Sequence, residues 1–514
     1  MFGAACYALT QCLYLIAVML LVQCLRLLWK HPFPANAPKL VSGYPLLGAL
    51  QFFSDRNGFC RISKAASPSG NYSYYLGRHR MVGLCGPQGR KVFFESQDLD
   101  VDEGVAVLLP FVNLVEASND PSSDTHTAYL RSTLRTRLLR TQSLEFVPHT
   151  IGTYITATLN HIKAEGLIDP FPEMNLYYTQ STMAVLGVEK VARSPELSRK
   201  IGELLGLLEG TFSATDIVIP WLLNPSHLRT VIGVARLYVM LWQIIGNQKK
   251  EQQQQPLSHK QESENVGILQ DLITKGRSMR AMLQALLSIS FASQANSPTV
   301  TSWMLIMLAT NTHWMARVRQ ELNQVVSKHR KDGESADQVL QGLSVYTLEH
   351  EFPLLYACLL ETVRLVLGLV TIRKNISPND IPIGDTGEVI PSGAYATYDL
   401  QEVSQDPAIY PDPQRWDPGR FLSDRAEHMK EYLAFCGFGA GRRKCRHQKL
   451  TCEAGRRLVH LQALGAVTRI INMFDITLSD EGGDPLHQAP ASYLKISLFA
   501  ALPVSPVRLR CTRR

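Results

Sequence analysis

None of the ten cysteines in this 514-residue chain forms a Cys-x-x-Cys pair. That argues against a structural zinc site. Cys6, Cys12, Cys24, Cys60, Cys85, Cys358, Cys436, Cys445, Cys452 and Cys511 are also too sparse for a disulfide scaffold. They read mostly as reduced thiols on the cytosolic side, which leaves one of them free for a special task. No lysine- and arginine-rich tract occurs, so the formal charge of +7 describes a basic face and no nucleic-acid binder. Charged residues make up only 19% of the chain against 45% hydrophobic, ordinary proportions for a globular protein and not for a disordered one.

Charge is missing altogether from residues 1–25, and 12–22 is nearly continuous hydrocarbon. Roughly 20 apolar residues cross a bilayer as a helix. Arg26, Lys30 and His31 follow at once, and positive charge on that flank puts the body in the cytosol. A cleaved signal peptide would carry a basic start and a small-x-small cleavage site, and neither is present. Residues 1–25 are therefore read as a transmembrane signal anchor. Pro32, Pro34 and Pro38 stiffen the connector that follows, giving a hinge over 26–43 and a globular body over 44–514.

Within the body, 72–94 reads as strands with Gly86-Pro87-Gln88-Gly89 as a turn. Residues 125–247 read mainly as helix, and a polar stretch at 248–265 breaks that pattern as a solvated loop. A long helix is expected over 278–310 and an amphipathic one over 315–331, with Val318, Leu322 and Val325 inward. The fold class is mainly α with a smaller β portion, in one large domain.

The sharpest feature is Phe438, Gly439, Ala440, Gly441, Arg442, Arg443, Lys444 and Cys445, followed by a helical pattern. A cysteine so placed has what a thiolate ligand to haem iron needs. Small residues let backbone N–H groups turn toward sulfur, an aromatic shields it, and Arg443 can answer a propionate. The following helix favours the anion through its N-terminal dipole. The segment resembles the haem-binding signature of the cytochrome P450 superfamily, Phe-x-x-Gly-x-Arg-x-Cys-x-Gly, at every position but the last. There His447 stands, adding bulk beside the helix. Glu361 and Arg364 share one face of an apolar helix at i,i+3 spacing. Together with the 416–421 segment, Trp-Asp-Pro-Gly-Arg-Phe, they resemble the family's conserved ionic element.

The resemblance implies the cytochrome P450 fold, and haem b with Cys445 as the axial ligand. It implies Phe438, Gly439, Gly441, Arg443 and Arg373 around the cofactor, and a buried triad of Glu361, Arg364 and Arg420. A second propionate partner is one of Arg131, Arg135 and Arg137, with no ground for choosing among them. The implied partner is the flavin-containing NADPH reductase of the endoplasmic reticulum membrane, met by a basic face of Arg442, Lys444, Arg446, His447, Lys449, Arg456 and Arg457. The implied reaction is insertion of one oxygen atom of O2 into a lipophilic small molecule. Wording such as the 390–397 segment resembles fungal members that tailor terpenoid or polyketide metabolites.

The chain departs from the family where an acid and an alcohol usually relay protons. In that register stand Ala295 and Asn296, with Ser297 as a substitute hydroxyl. The 292–296 wording resembles the sterol 7α-hydroxylases and prostacyclin synthase. A haem-thiolate isomerase or dehydratase needing no reductase, and a haem-binding protein with lost catalysis, therefore stay open beside the monooxygenase. So does a purely structural Asn296, its amide satisfied by a carbonyl that Pro298 frees.

Overall fold

The computed structural model describes residues 29–107, 144–160, 162, 165–209, 217, 225–254, 267–368, 370–440, 449–492 and 499–514, with five further positions between 11 and 22. In chain order the main elements begin with α1 (Arg56–Ala66), β1 (Tyr72–Leu76), β2 (His79–Leu84), α2 (Gly86–Glu95) and β3 (Leu99–Asp100). Next come α3 (Val147–Leu159), β4 (Glu165–Ile168), α4 (Pro170–Val185), α5 (Pro195–Glu209) and α6 (Pro225–Gln254). Then follow α7 (Met279–Gln294), α8 (Ser297–Thr310), α9 (Thr312–His329), α10 (Pro353–Val366), β5 (Val370–Asn375) and β6 (Tyr395–Asp399). The chain ends on α11 (Lys449–Met473), β7 (Phe474–Ser479) and β8 (Arg508–Arg513). Helix predominates. The elements gather into two compact units: Met1–Asn113 with Phe212–Asn224 and Val370–Asp399, and Leu114–Thr211 with Pro225–Leu369 and Leu400–Arg514.

The first unit is built on a five-stranded sheet of order β1-β2-β6-β5-β3. Only β2 and β6 run parallel. Gly77, at φ +56°, lets the chain turn between Leu76 and His79, which lie opposite each other. Alternation puts Tyr72, Tyr74 and Leu76 inward. Tyr74 packs edge-on against Phe59, ring centroids 5.1 Å apart, in a core shared with Phe52, Met81 and Ile372.

Residues 86–94 depart from the sequence reading. The supposed turn and the strand after it form one helix, α2. Pro87 sits in its first turn, where a missing N–H costs nothing, and the extended Cys85 before it donates its N–H to Asn71 Oδ1 at 2.9 Å. Phe93 and Phe94 then both reach Tyr398, at 5.9 and 5.7 Å.

The second unit is helical. Buried α8 lies against α4 and α10, and α11 lies against α3. Trp303 of α8 is 1% exposed. A buried polar seam fixes the registers of α7 and α11 on α4. Thr182 meets Ser293 at 2.7 Å, Gln294 Nε2 donates to Thr179 Oγ1, and Gln462 Nε2 donates to Ser181 Oγ, the last two at 2.8 Å. The amphipathic stretch expected at 315–331 is α9, with Met315, Val318, Leu322 and Val325 buried. A three-stranded antiparallel sheet, β4-β8-β7, completes the unit.

Two further expectations change. Helix continues into the start of the polar stretch as far as Gln254, because Gln248 donates to Gly187 O at 2.8 Å and Gln252 to Thr274 Oγ1 at 3.1 Å, and residues 255–265 lie outside the described residues. The long helix over 278–310 is two helices, broken at Asn296 with φ −133° and ψ −34°. Proline inside a helix would lose a hydrogen bond and clash with the carbonyl four residues back. The break puts Pro298 in the first turn of α8, where it is harmless.

Candidate functional site

The structure brings Glu361, Arg364 and Arg420 together. Glu361 and Arg364 lie one turn apart on α10, and the Arg364 Nε and Nη2 donate to the two carboxylate oxygens at 2.7 and 2.8 Å. Arg420, in the single-turn helix Pro418–Phe421, reaches Glu361 Oε1 at 3.3 Å. All three are at most 1% exposed. The third nitrogen of Arg364 donates to Ser404 O at 2.6 Å, and its plane lies over Tyr410. Burial pushes the Glu361 carboxyl up, against the pull of Arg364, the Asp417 N–H and Arg420.

A second layer escaped the sequence reading. Glu427 accepts from Arg420 Nη1 at 3.0 Å and from Arg425 Nη2 at 2.7 Å, and Arg425 also holds Asp417 at 2.7 Å. Burial acts upward on Glu427, yet Arg425 and Arg420 hold its carboxyl below the ordinary value. No local spacing announces this pairing.

The network holds the approach to the cysteine loop. Phe421, next to Arg420, packs edge-on against Phe435 at 5.2 Å, and Phe435 against Phe438 at 6.2 Å. Gly437 lies so close to α10 that a Cβ there would stand 2.3 Å from a methyl carbon of Val363. Gly439, at φ +78°, donates its N–H to Cys436 O at 2.9 Å, and nothing lies within 4 Å of where its Cβ would be. Gly441, Arg442, Arg443, Lys444, Cys445, Arg446, His447 and the side chain of Lys449 lie outside the described residues, as do Arg131, Arg135 and Arg137.

Around the break between α7 and α8, Ala292 is exposed, Asn296 partly so, and Ser297 is buried. Asn296 Oδ1 accepts the Ala500 N–H at 2.8 Å. Its amide oxygen is thus held by a backbone N–H far along the chain.

In the β-rich unit, Arg373 on β5 is 7% exposed, its guanidinium over the rings of Phe93 and Phe94 at 4.9 and 5.5 Å. Gly104 approaches so closely that a Cβ would meet the Arg373 Cα at 2.5 Å. Of the basic face, Arg456 is exposed, whereas Arg457 is turned inward and clamps Glu349 through Nε and Nη2.

Among the described residues one helical stretch, Leu228–Gln252 of α6, is long and apolar enough to cross a membrane, with 33% of it buried. The anchor expected at 1–25 lies outside the described residues except at five positions.

The cytochrome P450 family model matches residues 38–499, and the chain belongs to that family. It is a monooxygenase-class enzyme of the haem-thiolate type, the cofactor that family membership implies. It is 28% identical to the cytochrome P450 monooxygenase nsrP of Aspergillus novofumigatus, over 87% of this chain and 84% of that one. To the cytochrome P450 monooxygenase AacuE of Aspergillus aculeatus it is 27% identical, over 91% and 90%. The solved structure of the retinoic acid bound cyanobacterial CYP120A1 shares the fold with a TM-score of 0.70, at 21% identity, over 94% of this chain and all of that one.

Proposed function

We propose that this enzyme binds haem b through the Cys445 thiolate and inserts one oxygen atom of O2 into a lipophilic small molecule of fungal-type secondary metabolism. Electrons come from NADPH through a flavoprotein reductase. Residues 1–25 anchor the chain in the endoplasmic reticulum membrane, and the body 44–514 faces the cytosol. The observation that carries this reading is the ionic network docking residues 435–439 on α10, a few residues ahead of Cys445.

The described residues fit the cofactor. Arg373 supplies a buried planar cation of the kind a propionate needs. Gly439 leaves open the space a side chain would fill, and Ala292 presents only a methyl group on an exposed helix face. With Arg443, Phe438 and Gly441, these residues would hold the haem. Once bound, it supplies activation of dioxygen, chemistry that no side chain offers. The protein's own part is to hold the ligand sulfur, pair the propionates, exclude water and seat the substrate. Ser297, buried in the first turn of α8, is the hydroxyl that would hold a proton beside the break.

The reduced, carbon-monoxide-bound spectrum tests the assignment: wild type gives the thiolate-type absorption and Cys445→Ala loses it. An unaltered spectrum in the variant would refute the ligand assignment. One observation favours a second reading, an isomerase or dehydratase working without reductase: the amide oxygen at the usual alcohol position is bound to a backbone N–H. NADPH and O2 consumed per product separate the two.

The side chains of Asn71 and Asn375, each in a glycosylation sequon, are 1% exposed and hydrogen-bonded within the body. The folded chain offers neither to a glycosyl donor.

A further inference from the structure

Ala500 and Ala501 are held from three directions. Asn296 Oδ1 accepts the Ala500 N–H at 2.8 Å across 204 residues. Trp303 Nε1 donates to Ala501 O at 2.6 Å, and the Ala501 N–H donates to Val366 O at 3.0 Å. Ala500 also bridges Leu367 at the end of α10. Trp303, Val366 and Leu367 are buried. Asn296 is the partly open member of this set, at the break that follows α7 and four residues beyond exposed Ala292. It therefore stands where the open face of α7 meets the 499–502 segment. The break in the helix frees its backbone from helical geometry, and Pro298 keeps the break in place.

Asparagine suits this contact for a stereochemical reason. Its acceptor oxygen sits on Cγ, one bond further from the backbone than the hydroxyl of serine or threonine. Aspartate offers an acceptor in the same position but no N–H.

We propose that Asn296 is a positioning residue: its amide oxygen, by holding Ala500, sets where the 499–502 segment stands beside the open face of α7 and so shapes the substrate pocket. This rests on the haem-enzyme reading above and gives the unusual asparagine a task other than relaying protons.

Three variants of the full-length holoenzyme test it: Asn296→Ala, Asn296→Thr and Asn296→Asp. Backbone hydrogen–deuterium exchange over 499–502 reads the tie directly, without turnover. It rises roughly tenfold in the alanine and threonine variants, as loss of one hydrogen bond allows, and stays near wild type in the aspartate variant. Two azoles read the pocket. Imidazole alone reports only access to the iron, while clotrimazole, with its bulky triphenylmethyl group, reports the shape of the wall. Clotrimazole affinity changes roughly fivefold in the alanine and threonine variants with imidazole affinity unchanged, and aspartate restores both. Unchanged exchange in Asn296→Ala overturns the proposal. So does parallel movement of the two azoles, and so does aspartate behaving as alanine. If wild type binds neither azole at an iron, the haem reading itself has failed and takes this one with it.

Discussion

His460 of α11 lies over the ring of Tyr356 on α10, centroids 4.2 Å apart and planes inclined by 26°. Burial pushes its imidazole down to about 4, with Arg456 acting the same way and Glu349 opposing. The native state thus holds His460 neutral where the unfolded chain would protonate it, at an ordinary value near 6.5. Its stabilising share is whole above about pH 6.5 and fades as pH falls toward 4, by up to about 3 kcal/mol. His460→Phe keeps the stack and removes the titration. The slope of Tm against pH between 6.5 and 4 should flatten in that variant, although His79, also pushed down to about 4 by burial, leaves a residual slope.

Arg364→Ala strands the fully buried Glu361 carboxylate between Arg420 and the Asp417 N–H. A loss of about 3–5 kcal/mol is expected, read as a lower urea midpoint. Arg364→Lys should recover little of it, because one ammonium cannot serve both carboxylate oxygens and Ser404 O together.

Arg456 and Arg457 are neighbours in sequence with opposite expected phenotypes. Arg456→Glu should leave Tm unchanged and slow reductase-driven electron transfer, most at low ionic strength. Arg457→Glu should lower stability by about 2–3 kcal/mol by breaking the clamp on Glu349. Stopped-flow reduction and thermal melts, run across salt concentrations on both variants, check the contrast.

Arg373→Lys keeps the charge and loses the flat stack over Phe93 and Phe94. The purified variant should carry less haem per chain than wild type. Its unchanged far-ultraviolet circular dichroism would show that the loss lies in cofactor retention. Equal haem content would remove Arg373 from the cofactor set.

Much of this architecture is legible in the residues themselves. Glu361 and Arg364 announce a shared helix face by their spacing, and Arg420 comes with a recognisable local segment. Glu427 and Ala500 announce nothing. Their partners are a second arginine held by tertiary packing and a side chain 204 residues away meeting a backbone N–H. Helix α2 was obscured by composition, since Gly-Pro-Gln-Gly looks like a turn and Lys-Val-Phe-Phe like a strand. A proline is equally at home in a turn and in a first helical turn, and only packing decides. Pro298 poses the same ambiguity: it marks a boundary near 296 without saying that helix resumes at once.

Strand β8 lies between β4 and β7, pairing with one through Leu509–Ile168 and with the other through Leu509–Leu478. A nascent chain cannot close this sheet until β8 has been made, so β4, far earlier in the chain, waits with an open edge, whereas β7 comes just before its partner. Any stop codon placed before Arg508 would leave that wait permanent. Truncation before β8 should therefore yield aggregates rather than a shortened enzyme.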